Sequence, residues 1–392
     1  MVEFSKKLAR LKADNRLRSL RLPCGIDLTS NDYLGLKDHP RLRTAAISAL
    51  EKGVEIGAGG SRLLRGHTEE HAALEDSAAR FFACEKTLYF STGFQANTAL
   101  FTALAGRHDT IIFDALIHAS ARDGIQASAA RHIRVPHNDI EAYGQALERA
   151  KSTAKTQGGR IFIAVESLYS MDGDFAPLPE LYALANAYEA ILIIDEAHAT
   201  GVWGPDGRGL AAALWADDET AQQPANIVTL HTCGKALGIA GGMVCASADI
   251  VDYLVNTARP FIYSTAPIPL QAVLVREALA LAGSAEGRKR RAALHQKCTL
   301  MKTLLEEAAP DLMGTGWAVR PSQIVPLMFG EDSHAVAAAQ TLQAAGYDIR
   351  PIRPPTVPEG TARLRLSLSA ILDDTVLRGF TKALSRYSDW TY

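Results

Sequence analysis

The sequence predicts an α/β fold: a large domain on a mostly parallel sheet, followed by a smaller α+β domain. Three observations predict it. Short runs that are apolar throughout recur along much of the 392-residue chain. Helical stretches separate most of them, the pattern of a sheet covered by helices on both faces. After the Pro-punctuated segment Ala266-Pro267-Ile268-Pro269 the texture changes, and a long helical stretch leads into mixed material.

The elements follow in order. Phe4, Leu8, Leu11, Leu17 and Leu20 recur at near-helical spacing among Lys and Arg, so residues 3–20 are expected to form an amphipathic helix. A polar, turn-rich stretch from Thr29 to Gly35 comes next. Strands are expected at Thr87–Ser91, Thr110–Phe113, Ile161–Val165, Ile191–Ile194, Ile227–Leu230 and Met243–Cys245. Helices are expected between most of them, at Glu69–Ala83, Asn97–Ala105 and Leu178–Tyr188. Ile324–Phe329 and Leu364–Leu368 read as strands of the small domain. The expected division is an N-terminal helix and connecting segment (1–38), a large domain (39–270) and a small C-terminal domain (271–392).

Hydrophobic content of 47% and charged content of 21% are those of a soluble globular enzyme. Lys+Arg 41 against Asp+Glu 43 gives a formal charge of -2, so nothing draws the chain to nucleic acid or to anionic membrane. Cys24, Cys84, Cys233, Cys245 and Cys298 are odd in number and scattered, without a C-x-x-C pair. That argues against a disulfide framework or structural zinc and for a reducing, cytoplasmic setting. The N-terminus has no apolar core of a secretory signal; its basic amphipathic character resembles a transit peptide, and Glu3 and Asp14 count against one. No apolar run is long enough to span a bilayer.

In sheets of this kind ligands bind beyond the C-terminal strand ends, where Ser91, Asp114, Glu166, Asp195 and Thr232 fall. Asp195 follows four apolar residues, so its carboxylate is expected to be partly buried and to need a partner to stay charged. A protonated pyridine nitrogen is one such partner; a helix N-cap is the ordinary alternative. Lys235 lies between Gly234 and Gly238, with Gly241 and Gly242 beyond, which leaves room for a bulky group against the backbone. A lysine able to form a Schiff base and an aspartate able to hold a proton on a pyridine ring are the two contacts that pyridoxal 5'-phosphate (PLP) needs. The segment Ser91–Asn97 follows a strand and opens a helix, and free N–H groups beside Gly93 suit a phosphate; alone, it is equally an ordinary turn. His198 suits a bond to the cofactor's phenolic oxygen, although single histidines are more often structural. His118, just past a strand end, suits stacking on a flat ring.

Two further strings carry chemistry. His67-Thr68-Glu69-Glu70-His71 matches the H-x-x-E-H string of inverted zinc proteases. A zinc hydrolase needs both histidines on one face of a continuous helix. Thr68, Glu69 and Glu70 read instead as an N-cap and acidic first turn, leaving His67 outside. In the run Ile352–Ser367, Arg353, Arg363 and Arg365 follow or flank rigid prolines. Arginine suits bidentate capture of a carboxylate, and Arg363 and Arg365 would share a strand face. A salt-bridged or solvated strand accounts for at least one of the three.

Together these strings resemble the α-oxoamine synthases, a branch of the fold-type I PLP-dependent transferases, from about Thr29 to the C-terminus. The resemblance rests on Ser30-Asn31-Asp32-Tyr33-Leu34-Gly35-Leu36, Gly59-Gly60-Ser61-Arg62, Ser170-Met171-Asp172-Gly173-Asp174, Asp195-Glu196-Ala197-His198, Thr232-Cys233-Gly234-Lys235 and Tyr263-Ser264-Thr265, in that order. It implies Lys235 as Schiff-base lysine and proton shuttle, Asp195 on the pyridine nitrogen, His198 on the phenolic oxygen and His118 on the ring face. Ser170 would lie near cofactor or substrate oxygens. The N–H groups of Gly93 and Phe94, with the Thr232 hydroxyl, would hold the phosphate. Ser264 and Thr265 would reach the phosphate of a neighbouring subunit, so the full site would need a homodimer. Asn31 and Arg365 would bind the amino-acid carboxylate.

Within the family, Arg353-Pro354-Pro355-Thr356-Val357-Pro358 with Arg363-Leu364-Arg365-Leu366 is most similar to members that condense L-alanine with a pimeloyl thioester, on CoA or acyl carrier protein, in biotin synthesis. A sister enzyme using glycine or serine with another acyl-CoA is the alternative. A non-catalytic heterodimer subunit is a remote one, since Lys235, Asp195 and His198 are all present. The N-terminus departs from the pattern: only Leu20–Leu28 bridges the first helix and the Ser-Asn-Asp-Tyr string, where relatives carry more chain. The family's N-terminal arginine, which positions the acyl chain, is matched best by Arg18, with Arg16 its rival. Arg353 is assigned to substrate as well.

Overall fold

Val2–Ala13 forms the first helix, α1, in the computed structural model, which describes residues 2–216 and 221–385. Residues 386–392, the end of the expected small domain, lie outside the described residues. The helix is shorter than the expected 3–20. Asn15 adopts a left-handed φ of 54°, and the Arg16 N–H donates back to the Leu11 carbonyl at 2.7 Å. That closes the helix with a Schellman-type stop, and Leu17 and Leu20 lie beyond it, exposed. Ile26–Asp27 (β1) then pairs in parallel with Tyr347–Asp348.

Contacts divide the chain into two units. The larger comprises Leu34–Tyr169 and Phe175–Arg291; the smaller comprises the N-terminal residues through Tyr33, Ser170–Asp174, and the chain from Ala292 on.

The larger unit opens with α2 (Pro40–Glu51) and α3 (Glu69–Phe82). Its strands are β2 (Lys86–Phe90), β3 (Thr110–Asp114), β4 (Arg131–Val135), β5 (Ile161–Glu166), β6 (Ile191–Asp195), β7 (Ile227–Thr232) and β8 (Gly242–Ala246). They form one sheet in the order β2-β8-β7-β6-β5-β3-β4. Only β8 runs against its neighbours. The C-terminal ends of the other strands therefore share one edge, which collects Ser91, Asp114, Glu166, Asp195 and Thr232.

The strands are apolar throughout because both faces are covered. Phe113, Phe162, Ala164, Ile193, Val228 and Leu230 pack on one face with α4 (Gly93–Leu104), α5 (Ala119–Ala127), α8 (Ala248–Thr257) and α9 (Arg259–Ile262). Ile112, Ile163, Val165, Leu192 and Ile194 pack on the other with α6 (Ile140–Gln157) and α7 (Leu178–Ala187). Strand β4 escapes the sequence reading because it is an edge: it pairs only with β3, and its Arg131, His132 and Arg134 are exposed. The unit continues past the prolines at 267 and 269, since α10 (Pro269–Ala282) packs on α2 and α3.

In the smaller unit, β9 (Ile324–Gly330), β11 (Pro351–Ile352) and β12 (Ala362–Ser367) form an antiparallel sheet ordered β11-β12-β9, while Tyr347–Asp348 is β10, the partner of β1. The helix α11 (Ala285–Ala308) leads into this region, followed by α12 (Thr315–Val319), α13 (Asp332–Ala344) and α14 (Asp374–Ser385). Every residue of β12 is buried, Arg363 and Arg365 included. All five cysteines are free thiols, four of them buried. Among the described residues no helix is long and apolar enough to cross a membrane.

Candidate active site

At the end of β6 the Asp195 carboxylate is buried, and each oxygen receives a donor. The Ala197 N–H donates to Oδ1 at 2.9 Å, and Asn97 Nδ2 donates to Oδ2 at 2.8 Å. The second Asn97 hydrogen goes to Ser120 Oγ at 2.9 Å. Ser120 Oγ lies 2.7 Å from His118 Nδ1, and the Ser120 N–H also donates to that nitrogen at 3.2 Å. An Nδ1 that accepts a backbone N–H is unprotonated, so the His118 proton sits on Nε2. Burial lowers the His118 pKa; the Asp195 charge opposes that shift and Lys235 reinforces it, so the three side chains are within electrostatic reach of one another.

Asn97 and Ser120 were not singled out by sequence. The available signals were a lone amide on an apolar helix, one turn after Gly93, and a hydroxyl two residues after His118.

The other end of this network is the start of α4. Thr92 caps the helix, its hydroxyl accepting the Gln95 N–H at 3.0 Å. Ser91 N–H is taken by the Gln95 side chain. The N–H groups of Gly93 and Phe94 have no hydrogen-bond partner among the described residues. A Cβ on Gly93 would lie 2.4 Å from Thr232 Cγ2, and one on Gly242 would lie 2.8 Å from Gly93 Cα. Only glycine lets the helix start approach the ends of β7 and β8 this closely. Thr232 Oγ1 itself donates weakly to the Ala197 carbonyl at 3.4 Å.

Lys235 is half-buried in a turn closed by the Cys233 N–H to the Gly241 carbonyl and the Gly238 N–H to the Lys235 carbonyl, both 2.9 Å. Two of the nearby glycines serve this backbone rather than open space. Gly238 has a φ of 71° and its Cβ would meet Lys37 N at 2.5 Å; Gly241 has a φ of 124° and its Cβ would meet the Tyr89 ring. Beside Asp195, His198 is buried. Glu196, also unread from sequence, is buried and accepts from the Ser167 hydroxyl (2.7 Å) and the N–H groups of Leu210 (3.0 Å) and Ala211 (2.5 Å); burial pushes its pKa up to about 7. It pins the loop after β6 from within.

Ser264 and Thr265 make no hydrogen bond to this network; Thr265 forms an isolated bridge with Ser61. The H-x-x-E-H residues go elsewhere too. His67 precedes the N-cap Thr68, outside α3, and its Nδ1 accepts from Arg62 Nε at 3.1 Å. His71 caps the helix start, its Nδ1 accepting the Thr68 N–H at 3.2 Å and its Nε2 lying 2.8 Å from the Pro267 carbonyl.

In the smaller unit Arg365 is buried among neutral oxygens. It donates to the Ser170 carbonyl (2.5 Å), Asn31 Oδ1 (3.1 Å), Ser367 Oγ (2.9 Å) and the Tyr33 hydroxyl (3.2 Å). Among the described residues no carboxylate pairs with it. Tyr33 and Ser367 are additions to the expected Asn31, Ser170 and Arg365. Arg363, two residues earlier on the strand, is the salt-bridged member of the arginine run, donating to Asp172 Oδ1 at 2.5 Å. Arg16 is ion-paired with Asp332 at 2.7 Å and with Glu359 at 3.3 Å. Arg18 donates to Thr356 Oγ1 at 2.9 Å and Arg353 to the Asn15 carbonyl. Arg18 and Arg353 line one groove whose walls include neither Asn31 nor Arg365.

This donor set fits a phosphorylated pyridine. Asp195, hydrogen-bonded by a neutral donor at each oxygen, keeps acceptor capacity for a protonated ring nitrogen. Asn97, which holds it, is four residues along α4 from Gly93, about 6 Å at 1.5 Å per residue. That separation suits a ring nitrogen at one end and a phosphate on the free N–H groups at the other.

Residues 24–384 match the family model described as aminotransferase class I and II. The 8-amino-7-oxononanoate synthase of Geobacter sulfurreducens is 41% identical over 394 residues, spanning 97% of this chain and 96% of the relative. That of Chromobacterium violaceum is 44% identical over 385 residues, 94% of each. Among solved structures, a serine palmitoyltransferase from S. paucimobilis with bound PLP–myriocin aldimine superposes with a TM-score of 0.85 at 27% identity, covering 97% of this chain and 96% of that one. An 8-amino-7-oxononanoate synthase from Francisella tularensis gives 0.76 at 27% identity, covering 93% and 98%.

Proposed function

Because the chain belongs to the α-oxoamine synthase family of fold-type I PLP enzymes, we propose that it condenses L-alanine with a pimeloyl thioester, on CoA or acyl carrier protein. The products are 8-amino-7-oxononanoate, CoA (or the free carrier) and carbon dioxide. PLP is its cofactor, and the family reaction joins an amino acid to an acyl-CoA. The observation that carries the finer reading is near-full-length identity of 41% and 44% to curated 8-amino-7-oxononanoate synthases. On that reading the enzyme works in biotin synthesis, in the cytoplasm, as a homodimer.

When bound, PLP supplies an aldehyde that takes up amines and a ring that accepts negative charge from the amino-acid α-carbon. The chain's residues bind, orient and move protons. Lys235 would hold the cofactor through Nζ and, once released, take the α-proton of alanine and later return a proton to that carbon. Asp195, fixed by Asn97 and the Ala197 N–H, would keep the ring nitrogen protonated. His118, held by Ser120, would pack on the ring face, and His198 would bond the phenolic oxygen. The Gly93 and Phe94 N–H groups and the Thr232 hydroxyl would hold the phosphate, with Ser264 and Thr265 reaching the neighbouring subunit's phosphate. Arg365 and Asn31, beside Ser170, would bind the alanine carboxylate until it leaves as carbon dioxide. Arg18 and Arg353 would hold the acyl donor.

One observation favours a sister reading, serine with a long acyl-CoA: the higher TM-score, 0.85 against 0.76, belongs to the serine palmitoyltransferase. Both structures stand at 27% identity, well below the synthases matched by sequence, so the alanine reading leads. Lys235→Ala tests the chemistry. It should abolish turnover and the visible absorption of lysine-bound cofactor; a variant that kept substantial synthase activity would contradict the assignment.

A further inference from the structure

His71, the last residue of the H-x-x-E-H string, has a role that the cofactor site described above does not use. It is the third residue of α3, and it is buried. Its Nδ1 accepts the Thr68 backbone N–H at 3.2 Å, so the ring proton sits on Nε2. Nε2 then donates to the Pro267 carbonyl at 2.8 Å, 196 residues along the chain. Burial, reinforced by the Arg62 charge, holds the His71 pKa down at about 4, so the ring is a neutral donor near pH 7.

Pro267 lies in the stretch between α9 and α10 that carries Tyr263, Ser264 and Thr265. That stretch belongs to no helix, and Pro267 has no N–H to give, so its shape is set from outside. At one end Gln95 Nε2 donates to the Pro260 carbonyl at 2.6 Å, while Gln95 Oε1 accepts the Ser91 N–H at 3.0 Å. In the middle Thr265 bridges Ser61, and the Ala266 N–H donates to the Gly60 carbonyl at 3.0 Å. At the other end stands His71. The clamp leaves the Ser264 and Thr265 hydroxyls without a hydrogen-bond partner among the described residues. On the two strings that the bridge joins, Leu63, Leu64 and Tyr263 are exposed, and apolar exposure of this kind suits cover by a second copy of the chain.

We propose that His71 is a positioning residue for cofactor binding across the dimer: with Gln95 it clamps residues 260–267 so that Ser264 and Thr265 present their hydroxyls to the neighbouring subunit's phosphate. The inference rests on the homodimer of the proposed function, in which those hydroxyls reach across. Hydroxyls on an irregular stretch bind an anion well only if the stretch is fixed before the anion arrives. Here it is fixed to two helices, α3 through His71 and α4 through Gln95. Gln95 also bonds to the helix start that would hold its own subunit's phosphate, so a change there disturbs two sites. His71 hydrogen-bonds only to the clamp and to its own helix cap, which makes it the cleaner probe.

The test pairs differently tagged subunits into mixed dimers. One subunit is silenced by Lys235→Ala, so that only the other shows the absorption of lysine-bound PLP. His71→Asn keeps an acceptor for the Thr68 N–H but is too short for Pro267; His71→Gln keeps an N–H near the place of Nε2. In one dimer the silenced subunit carries His71→Asn, in the other the intact subunit does. Both dimers hold the same substitutions, so a loss of stability weighs on them alike. With His71→Asn in the silenced subunit, the PLP affinity of the intact site should fall by about tenfold or more, the loss of a charge-assisted hydrogen bond. With His71→Asn in the intact subunit, affinity should stay within about twofold of the dimer altered by Lys235→Ala alone. His71→Gln in the silenced subunit should recover most of the loss. A loss that follows the intact subunit, or that is equal in the two dimers, overturns the proposal, as does a His71→Gln no better than His71→Asn. Ser264→Ala with Thr265→Val in the silenced subunit is the control. If it weakens the intact site and His71→Asn there does not, the positioning role alone falls. If it leaves the intact site unaltered, or if the subunits do not pair, the shared-phosphate reading falls and takes this inference with it.

Discussion

Asn97 holds Asp195 and, through Ser120, His118: one amide nitrogen lies 2.8 Å from Asp195 Oδ2 and 2.9 Å from Ser120 Oγ. Both hydrogens are committed, so the amide orientation is set and a carboxylate and an imidazole are tied to one helix. Asn97 acts through its neighbours, as a positioning residue. Replacing it removes a hydrogen bond to a charged group, worth about 1.5–3 kcal/mol. Asn97→Leu should therefore weaken PLP binding by about tenfold to a hundredfold. A spectrophotometric cofactor titration checks this; unchanged affinity would reduce Asn97 to packing.

Gly93 and Thr232 make a second, reversible test. A Cβ at Gly93 would stand 2.4 Å from Thr232 Cγ2 but 3.4 Å from Thr232 Cβ. Gly93→Ala should cost about 1–3 kcal/mol by overpacking and lower cofactor affinity. Adding Thr232→Ser, which removes only the methyl, should recover most of the stability in thermal melts of the holoenzyme. A double variant as unstable as Gly93→Ala alone would show that the clash is not the cause.

The same two positions show what the sequence could and could not reveal. The strand-end positions of Asp195 and Thr232 are legible because apolar strands announce their own ends. Asn97 and Ser120 were not, because their role depends on α4 and α5 packing side by side, which no local pattern encodes. The glycine spacing around Lys235 predicts room for a bulky group; Gly238 and Gly241 instead carry positive φ and close backbone approach. The first helix ended early because Asn15 took a left-handed turn, which overrode the leucine spacing. Strand β4 was missed because an edge strand keeps its charges. Arg18 and Arg353 stand 335 residues apart in the sequence, and only the fold shows them lining one cleft with Lys12 and Arg21.

Arg365 and Arg363 should separate cleanly. Arg365 has only neutral partners, whereas Arg363 is paired with Asp172. Arg365→Lys loses the planar fork, so KM for the amino acid should rise about tenfold to a hundredfold while KM for the thioester stays put. Arg363→Met leaves the half-buried Asp172 carboxylate without its cation and should cost about 1.5–3 kcal/mol of stability. Steady-state kinetics with either substrate varied, beside denaturant titrations, check both; an Arg365→Lys enzyme with an unchanged amino-acid KM would remove the carboxylate role.

His231 predicts the acid side of the stability curve. It is buried, stacked on Phe82 at 3.7 Å, and bonded through both ring nitrogens to Thr200 and Thr229 at 2.9 Å. Burial holds its pKa down at about 3, against 6.5 for a free imidazole. Below pH 6.5 the unfolded chain takes up a proton that the folded chain refuses, so stability contributed by this group is full above that pH and falls as pH drops toward 3. At about pH 5 the loss is roughly 2 kcal/mol relative to neutral pH. His231→Gln should lower stability at neutral pH yet shrink the difference between about pH 7.5 and pH 5 by that amount. An undiminished difference in urea titrations at the two pH values would assign the acid sensitivity elsewhere.

The central claim is the substrate pair, and one assay bears on it most directly. Purified holoenzyme is given L-alanine, glycine or L-serine, each with pimeloyl, acetyl, succinyl and palmitoyl thioesters, and the ketone products are read by mass. The proposed function predicts that alanine with the pimeloyl thioester gives 8-amino-7-oxononanoate with the highest kcat/KM of the panel. A higher kcat/KM for serine with palmitoyl-CoA, or for glycine with acetyl- or succinyl-CoA, would contradict it and leave only the family reaction standing.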